Sequence, residues 1–381
     1  MVTLVDRFET GAFDLTKQRA VIRLSAGDAK SWDVVVDRKG ARLAKRQAAE
    51  PDAILTADPE TWDRIADDVA SGMSAFRGGR LRVRRNLHLG VGFLAATAAD
   101  SPGRLRFSRV ETRMGNFSLL EAGTGPPVLM LHGLGGTKAS FLPTVAALAP
   151  DFRTIAVDLL GFGDSDKPIG ASYGPQYQGR GIAALLDALG LERAHFVGHS
   201  MGGRIALELG FMHPGQIDGL VLMTPAMAWL RERRWAPYLR WVRPELGLLQ
   251  VAPRRVVESI VKRLIPGGDD SWAAPAIDEF IRTYTTARGR AAFYAAARHI
   301  YLDEPHGDRG FWAKLEKLAP ESLFIWGRHD GLVPASFMKH VEQRLPAARH
   351  VELNCGHVPQ VERPRETHAA IARFLRSVDS K

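Results

Sequence analysis

The chain has 381 residues, of which 45% are hydrophobic and 24% are charged, and its formal net charge is +9. This length exceeds the roughly 250–300 residues at which a single hydrophobic core stops growing, so we expect two domains, and the composition excludes a disordered protein. No run of about 20 apolar residues predicts a membrane-spanning helix, and the single cysteine, Cys355, excludes an internal disulfide bond and a cysteine metal cluster.

The first hundred residues predict a small unit of strands followed by helices. Four runs indicate strands: Ala20–Leu24, Ser31–Asp37, Ala53–Thr56 and Arg80–Arg84. A turn is expected at Arg38-Lys39-Gly40. Asp58 and Pro59 predict a helix that runs through Asp67, because an acidic cap followed by proline is a typical helix start. Two apolar stretches follow, 87–93 and 94–99, and we expect Gly90 and Gly92 to break them.

This segment, from about residue 10 to 100, is similar to sterol-carrier-protein-like domains. The residues that carry the resemblance are Ser31–Val36, Pro51–Asp58 and Phe76–Val83. The resemblance implies an α+β fold that binds lipid in an apolar tunnel. The segment departs from the family in two ways: the helix before the first strand is short or missing, and Arg84-Arg85-Asn86 replaces a smaller turn that contains glycine. An accessory domain that packs without a ligand therefore remains an alternative. We place this front domain at residues 1–103, with a linker at 100–103.

A glycine-rich loop follows the first buried strand of the second domain, residues 104–381. The strand is Val128–Leu131, and the loop is His132–Gly136. In acyl transfer, such a loop supplies a backbone N–H to the oxyanion, and the N–H of Leu134 is our candidate. The alternative is a phosphate-binding loop, but Lys138 is not preceded by glycine as that motif requires.

The pentapeptide Gly198–Gly202 has the G-x-S-x-G pattern of a nucleophile elbow. It follows the apolar run Ala194–Val197 and opens a helical run, Arg204–Phe211, which is the strand–turn–helix context of that motif. Such a turn exposes Ser200 at the end of a sheet. The N–H of the next residue, Met201, is the expected second oxyanion donor.

A serine nucleophile needs a base and an acid that orients the base, and both follow later in the chain. Asp330 follows the apolar run Leu323–Trp326, and His357 follows the strand-like run His350–Leu353. Both residues lie just past the carboxyl ends of predicted strands, where active-site residues of parallel sheets gather. We therefore predict a catalytic triad of Ser200, Asp330 and His357.

These motifs together resemble the α/β-hydrolase superfamily, from about residue 107 to the end of the chain. The matching pieces are His132–Gly135, Asp158–Ser165, the elbow, Gly327–Asp330 and Cys355–His357. The resemblance implies a doubly wound, mostly parallel sheet with a helical cap. A serine elbow argues against the dehalogenase and epoxide hydrolase branches, which place Asp there. Pro225 and Ala226 occupy the alternative acid position of some relatives, which supports Asp330.

The predicted cap, at about 225–310, contains a basic and aromatic stretch. Residues 229–263 carry nine Lys or Arg against three Glu, with four large aromatic residues: Trp229, Trp235, Tyr238 and Trp241. This pattern is typical of a surface that contacts an anionic membrane, or of cap helices whose aromatic side lines a pocket. No nucleic-acid-binding motif accompanies the basic residues. The first ten residues lack the apolar core of a signal peptide, so we expect a cytoplasmic protein with peripheral membrane contact.

The sequence thus predicts a serine hydrolase that cleaves carboxylic esters of apolar, lipid-like substrates, with no cofactor and no metal. Two alternatives remain open. One is a carbon–carbon bond hydrolase that uses the same triad on a dienoic ring-cleavage product. The other is a lipid-binding or transfer protein in which the hydrolase domain serves as a scaffold.

Overall fold

A computed structural model describes residues 2–15, 17–27, 30–44, 48–67, 75–76, 79–98, 103–228 and 270–380, together with 234, 236–241, 243, 253, 255–256 and 259. Its strands are β1 Arg19–Ala26, β2 Lys30–Asp37, β3 Gly40–Leu43, β4 Ala53–Ala57, β5 Arg82–Arg84, β6 Arg106–Thr112, β7 Gly115–Ala122, β8 Pro127–Leu131, β9 Arg153–Val157, β10 Ala194–His199, β11 Ile217–Met223, β12 Glu321–Gly327 and β13 Arg349–Leu353. Its helices are α1 Val2–Asp6, α2 Pro59–Asp67, α3 Leu87–Thr97, α4 Leu142–Leu148, α5 Pro175–Leu189, α6 Met201–Met212, α7 Asp270–Tyr284, α8 Ala287–Tyr301, α9 Phe311–Leu315, α10 Met338–Arg344, α11 Pro359–Glu362 and α12 Pro364–Asp379.

The larger sheet has eight strands in the order β13-β12-β11-β10-β8-β9-β7-β6. The pairs from β13 to β9 are parallel, and β7 is antiparallel to both of its neighbours. Helices connect the parallel strands, as doubly wound sheets require. The strand order reverses at β8, which lies between β9 and β10. The carboxyl ends of β8 and β10 therefore flank the crevice where ligands of such sheets bind.

The smaller sheet has five strands in the order β3-β2-β1-β4-β5. The strands predicted in this segment are confirmed, although the last is shorter than expected, and β3 after the predicted turn was missed. Asp58 caps α2 as predicted, since its carboxylate accepts the Thr61 N–H at 2.8 Å. The fold class is thus an α+β unit followed by a doubly wound α/β domain.

The expectation that Gly90 and Gly92 break the apolar stretch after β5 is wrong. The single helix α3 passes through both residues and is buried along its whole length. A Cβ atom at Gly90 would lie 2.4 Å from Cγ1 of Val83, and one at Gly92 would lie 2.3 Å from Cε2 of Phe13. The glycines therefore let the helix approach its neighbours closely, and this packing outweighs their low helix propensity.

The front domain packs directly on the second domain. Its residues and those of the larger sheet join in one hydrophobic cluster, in which Val91 of α3, Phe107 of β6 and Leu142 of α4 are buried. Arg104 donates from Nε to the carbonyl of Ala95, at the end of α3, at 3.0 Å. Residues 99–102, which include most of the predicted linker, lie outside the described residues, and the boundary at 103 stays a prediction.

The cap is described mainly through α7 and α8, two helices joined by a short turn. Most of the basic stretch at 229–263 lies outside the described residues, and Trp229 and Trp235 are among those. Tyr238 and Trp241 are described, and they are 72% and 78% exposed. Among the described residues, no helix combines the length and apolar character needed to cross a bilayer.

Candidate active site

The predicted nucleophile elbow forms a sharp turn between β10 and α6. Ser200 has φ 51° and ψ −113°, outside the regions that a residue with a side chain prefers. Its N–H donates to the carbonyl of Met223 at 2.9 Å, which ties the turn to β11. A Cβ atom at Gly202 would lie 1.9 Å from the carbonyl oxygen of Leu131, so only glycine fits where α6 passes β8. The surrounding backbone therefore determines this strained conformation.

The structure brings the three predicted triad side chains together, although 130 residues of chain separate Ser200 from Asp330. Nε2 of His357 lies 2.9 Å from Oγ of Ser200, and Nδ1 lies 2.7 Å from Oδ2 of Asp330. The other carboxylate oxygen of Asp330 accepts the N–H groups of Leu332 and Val333 at 2.7 and 2.9 Å. Because a carboxylate only accepts, Nδ1 of His357 donates to it, and Nε2 is left to accept the serine proton.

Three further residues hold the loop that carries His357, and the sequence reasoning missed them. The carbonyl of His357 accepts hydrogen bonds from Nε2 of His199 at 2.7 Å and from Oγ1 of Thr224 at 2.9 Å. The carboxylate of Glu362 accepts the N–H groups on either side of His357, from Gly356 at 2.7 Å and Val358 at 2.9 Å. Of these three residues, only His199 lies within the elbow motif, so its place in that motif was the one sequence signal that could have pointed to its role.

Burial, together with the neighbouring His357, lowers the pKa of His199 to about 3. The imidazole of His199 is therefore neutral at physiological pH. A neutral ring adds no positive charge beside the predicted base, and its single N–H donates to the carbonyl of His357. We interpret His199 as a positioning residue on this geometry.

The loop after β8 lies beside the elbow, as predicted for an oxyanion loop. A Cβ atom at Gly133 would lie 3.4 Å from the Cβ of Ser200. Nε2 of His132 accepts the Leu159 N–H at 3.1 Å, so its Nδ1 carries the proton that is donated to the carbonyl of Gly133 at 2.8 Å. Within the described part of the chain, the backbone N–H groups of Leu134 and Met201 donate to no acceptor.

Lys138 is not positioned to bind phosphate. Its ammonium group is buried and lies 2.6 Å from Oδ2 of Asp158 and 3.0 Å from Oγ of Ser118. Because these contacts already pair the ammonium group inside the fold, they argue against the phosphate-loop alternative for the preceding glycines.

Aromatic side chains of the two cap helices lie over the predicted oxyanion loop. Phe280 and Tyr284 of α7 stack at 5.2 Å, and both meet Phe293 of α8 edge to face, at 5.8 and 5.3 Å. A Cβ atom at Gly135 would lie 2.4 Å from Cε2 of Phe280. The cluster therefore touches the loop and makes the roof of the crevice apolar.

Comparisons with known proteins agree with this architecture. Residues 126–364 match the alpha/beta hydrolase fold family, and residues 6–94 match the SCP-2 sterol transfer family. The 2-hydroxymuconate semialdehyde hydrolase of Pseudomonas sp. (strain CF600) is 29% identical over 269 residues, which cover 69% of this chain and 91% of that protein. RutD of Stutzerimonas stutzeri (strain A1501), whose name assigns it carbamate hydrolysis, is 29% identical over 231 residues, which cover 61% of this chain and 84% of that protein.

Among solved structures, a membrane phospholipase A described as a bacterial virulence factor is similar to this chain, with a TM-score of 0.59. The two are 27% identical, and the match covers 82% of this chain and 92% of the phospholipase. Since the family match spans more than half of the sequence, the chain belongs to the α/β-hydrolase fold family and carries an SCP-2-type domain at its N-terminus.

Proposed function

We propose that this protein is a serine hydrolase that cleaves carboxylic esters of apolar, lipid-like acids. The observation that carries the proposal is the chain of hydrogen bonds from Ser200 through His357 to Asp330, with distances of 2.9 and 2.7 Å. A scaffold without catalytic activity has no physical need for this relay, which counts against the lipid-transfer alternative.

The geometry supports a two-step acyl transfer. Oγ of Ser200 attacks the ester carbonyl carbon while Nε2 of His357 takes the hydroxyl proton, and the carboxylate of Asp330 stabilises the imidazolium. The N–H groups of Leu134 and Met201 stabilise the negative charge on the carbonyl oxygen. His357 then gives its proton to the departing alcohol. Water, deprotonated by the same imidazole, hydrolyses the acyl-enzyme and releases the acid.

The surroundings of the relay favour an apolar acyl group. Phe280, Tyr284 and Phe293 cover the crevice from the cap side, and burial raises the pKa of the Tyr284 phenol well above its usual value, so this hydroxyl stays neutral. The phospholipase that resembles this chain acts on a lipid, as its name states. A front domain of the SCP-2 sterol transfer family is consistent with such a substrate.

The membrane surface is the proposed source of the substrate. Tyr238 and Trp241 are largely exposed, and Arg234, Arg240 and Arg243 beside them in sequence are exposed as well. Exposed aromatic rings among arginines suit the headgroup region of anionic lipid. In this arrangement the cap meets the membrane, and an apolar ester enters beneath it.

A carbon–carbon bond hydrolase is the second candidate function. The specific observation that favours it is the similarity to 2-hydroxymuconate semialdehyde hydrolase over 69% of the chain. The same relay would serve that reaction, so the substrate decides between the two candidates.

The experiment measures hydrolysis of p-nitrophenyl esters from acetate to palmitate, beside a vinylogous dienoic diketone, with the wild-type protein and Ser200→Ala. The exposed Ser172→Ala provides the matched control. Activity that rises with acyl chain length and is lost only in Ser200→Ala supports the lipid esterase. Activity confined to the diketone supports the carbon–carbon bond hydrolase, and activity on neither substrate contradicts both.

A further inference from the structure

The cap helix α7 has two opposite faces with different partners. Phe280 and Tyr284, one turn apart, form the apolar face that touches the predicted oxyanion loop. Asp278, Glu279 and Arg282 lie on the other face, because residues three and four apart share one side of a helix. The side chains of Asp278 and Glu279 are only 3% and 5% exposed. A helix with carboxylates buried on one side must find partners for them there.

Both carboxylates have partners in the front domain. Nε of Arg84 lies 2.7 Å from Oδ2 of Asp278, and the same oxygen accepts the Arg85 N–H at 2.9 Å. Oε1 of Glu279 accepts the N–H of Leu87, the first residue of α3, at 2.7 Å. A carboxylate at this position also meets the positive end of the α3 dipole. About 190 residues of sequence separate the two sides of this contact.

The contact uses the turn at which this chain departs from sterol-carrier-like domains. Arg84, Arg85 and Asn86 form that turn, and Arg85 has φ 70°, a conformation that a residue with a side chain adopts at a cost. In this turn the Arg85 N–H donates to Asp278. The Asn86 side chain caps α3 by accepting the Leu89 N–H at 3.0 Å. The turn is therefore shaped to present donors to the cap.

A second set of contacts connects the same face of α7 to the hydrolase domain. Arg282 donates to both carboxylate oxygens of Asp164, at 2.8 and 3.1 Å, and to Glu279 at 2.9 Å. Burial alone would raise the pKa of Asp164, but Arg282, His88 and Lys138 hold it well below its usual value. Helix α7 is thus held between the front domain and the loop after β9.

We infer that the Arg84–Asn86 turn positions the cap helix α7, so that the front domain determines how closely Phe280 covers the predicted oxyanion loop. The front domain then acts as a fixed support of the substrate pocket, in addition to any lipid that it binds. The expected effect on acyl esters rests on the proposed function, because a change in the width of the pocket is measured as a change in substrate affinity. The position of α7 itself does not depend on that function.

The first test measures how firmly α7 is held, without any substrate. In Arg84→Ala the buried carboxylate of Asp278 loses the Arg84 guanidinium, so hydrogen exchange of the α7 amides should accelerate about tenfold or more, while exchange in α6 stays unchanged. The matched control is Arg82→Ala, an exposed arginine on the same strand. Arg84→Lys, which restores the charge, should recover part of the protection.

The second test measures specificity. The KM for p-nitrophenyl octanoate should rise about fivefold in Arg84→Ala with kcat nearly unchanged, while the KM for p-nitrophenyl acetate moves less, because only the longer chain reaches the roof. In an Asp278→Ala background, Arg84→Ala should add much less, since the contact between Arg84 and Asp278 is already absent there. A general loss of stability would instead make the two effects add.

The outcomes separate the two proposals. Faster exchange in α7 with no esterase activity in the wild-type protein would support the positioning role and contradict the proposed function. Esterase activity in the wild type, with Arg84→Ala indistinguishable from Arg82→Ala in exchange and in KM, would overturn the positioning role.

Discussion

Two regions meet at the crevice, and they are held in different ways. The floor comprises Ser200, Asp330, His357 and the loops that carry them, and hydrogen bonds between side-chain and backbone groups of the hydrolase domain hold it. The roof comprises α7 and α8. An ion pair with the front domain, an ion pair with the loop after β9 and aromatic contacts with α8 hold α7. The hydrogen bonds therefore fix the geometry of the floor within one domain, whereas the position of the roof depends also on the front domain. The difference suggests that the floor determines chemistry and the roof determines which substrate reaches it.

The largest effect should come from breaking the floor at the relay itself. Ser200→Ala and Asp330→Asn should each lower kcat about 10⁴-fold or more. The first removes the nucleophile, and the second removes the carboxylate that fixes the tautomer of His357. Steady-state kinetics on the preferred ester measure both variants. Residual turnover within tenfold of wild type for Ser200→Ala would contradict the assignment.

A smaller effect should come from loosening the loop around His357. Glu362→Gln keeps the size of the side chain but replaces one of the two oxygens that accept the Gly356 and Val358 N–H groups. Displacing the base in this way should lower kcat about 10²-fold with KM nearly unchanged. The exposed Glu366→Gln, one turn further along the chain, provides the control. An unchanged kcat in Glu362→Gln would show that the loop keeps its position without this carboxylate.

On the roof, Phe280→Ala should alter affinity rather than chemistry. Removing the ring that lies against Gly135 takes away apolar contact with the acyl chain, so KM for long-chain esters should rise about tenfold, with little change for acetate. A chain-length series of kcat/KM measures this difference. An equal loss for acetate and palmitate esters would mean that the ring supports the oxyanion loop instead of contacting substrate.

The smallest effect concerns stability, and it originates in the floor. His199 has a pKa of about 3 in the folded protein, whereas an ordinary histidine titrates near 6.5. In the window between these values only the unfolded chain takes up the proton. Stability is therefore lost as pH falls below about 6.5, by at most about 1.4 kcal/mol per pH unit for this residue, and is unaffected above it.

Urea unfolding measured from pH 7.5 to 4.5 tests this expectation. Burial lowers the pKa values of His88 and His132 as well, so the wild-type slope should include their contributions in the same direction. His199→Asn should reduce the dependence of the unfolding free energy on pH and leave the contributions of the other histidines. A slope that is identical in the variant would mean that His199 binds its proton in the folded state.

Sequence motifs predicted the residues of the floor, because each of its parts is a local signal. The elbow, the loop after β8, and the residues after β12 and β13 all stand directly after a strand, and parallel strands bring their carboxyl ends to one edge. The supporting contacts of Glu362 and Thr224 were missed, since a hydrogen bond to a backbone group leaves no pattern in the sequence. Gly90 and Gly92 were misread because the close packing of α3 against Val83 and Phe13, which requires glycine there, arises only in the folded domain.

By itself the sequence determined the α/β-hydrolase fold, the SCP-2-type front domain and the candidate triad, because strand periodicity, glycine spacing and chain order encode them locally. Only the tertiary structure decided that the front domain contacts the cap. That contact pairs Arg84 with Asp278 and the backbone N–H of Leu87 with Glu279, partners that stand about 190 residues apart in the sequence. These pairings form because both carboxylates are buried. A carboxylate removed from water needs a hydrogen-bonding or charged partner, and the fold determines which group lies beside it.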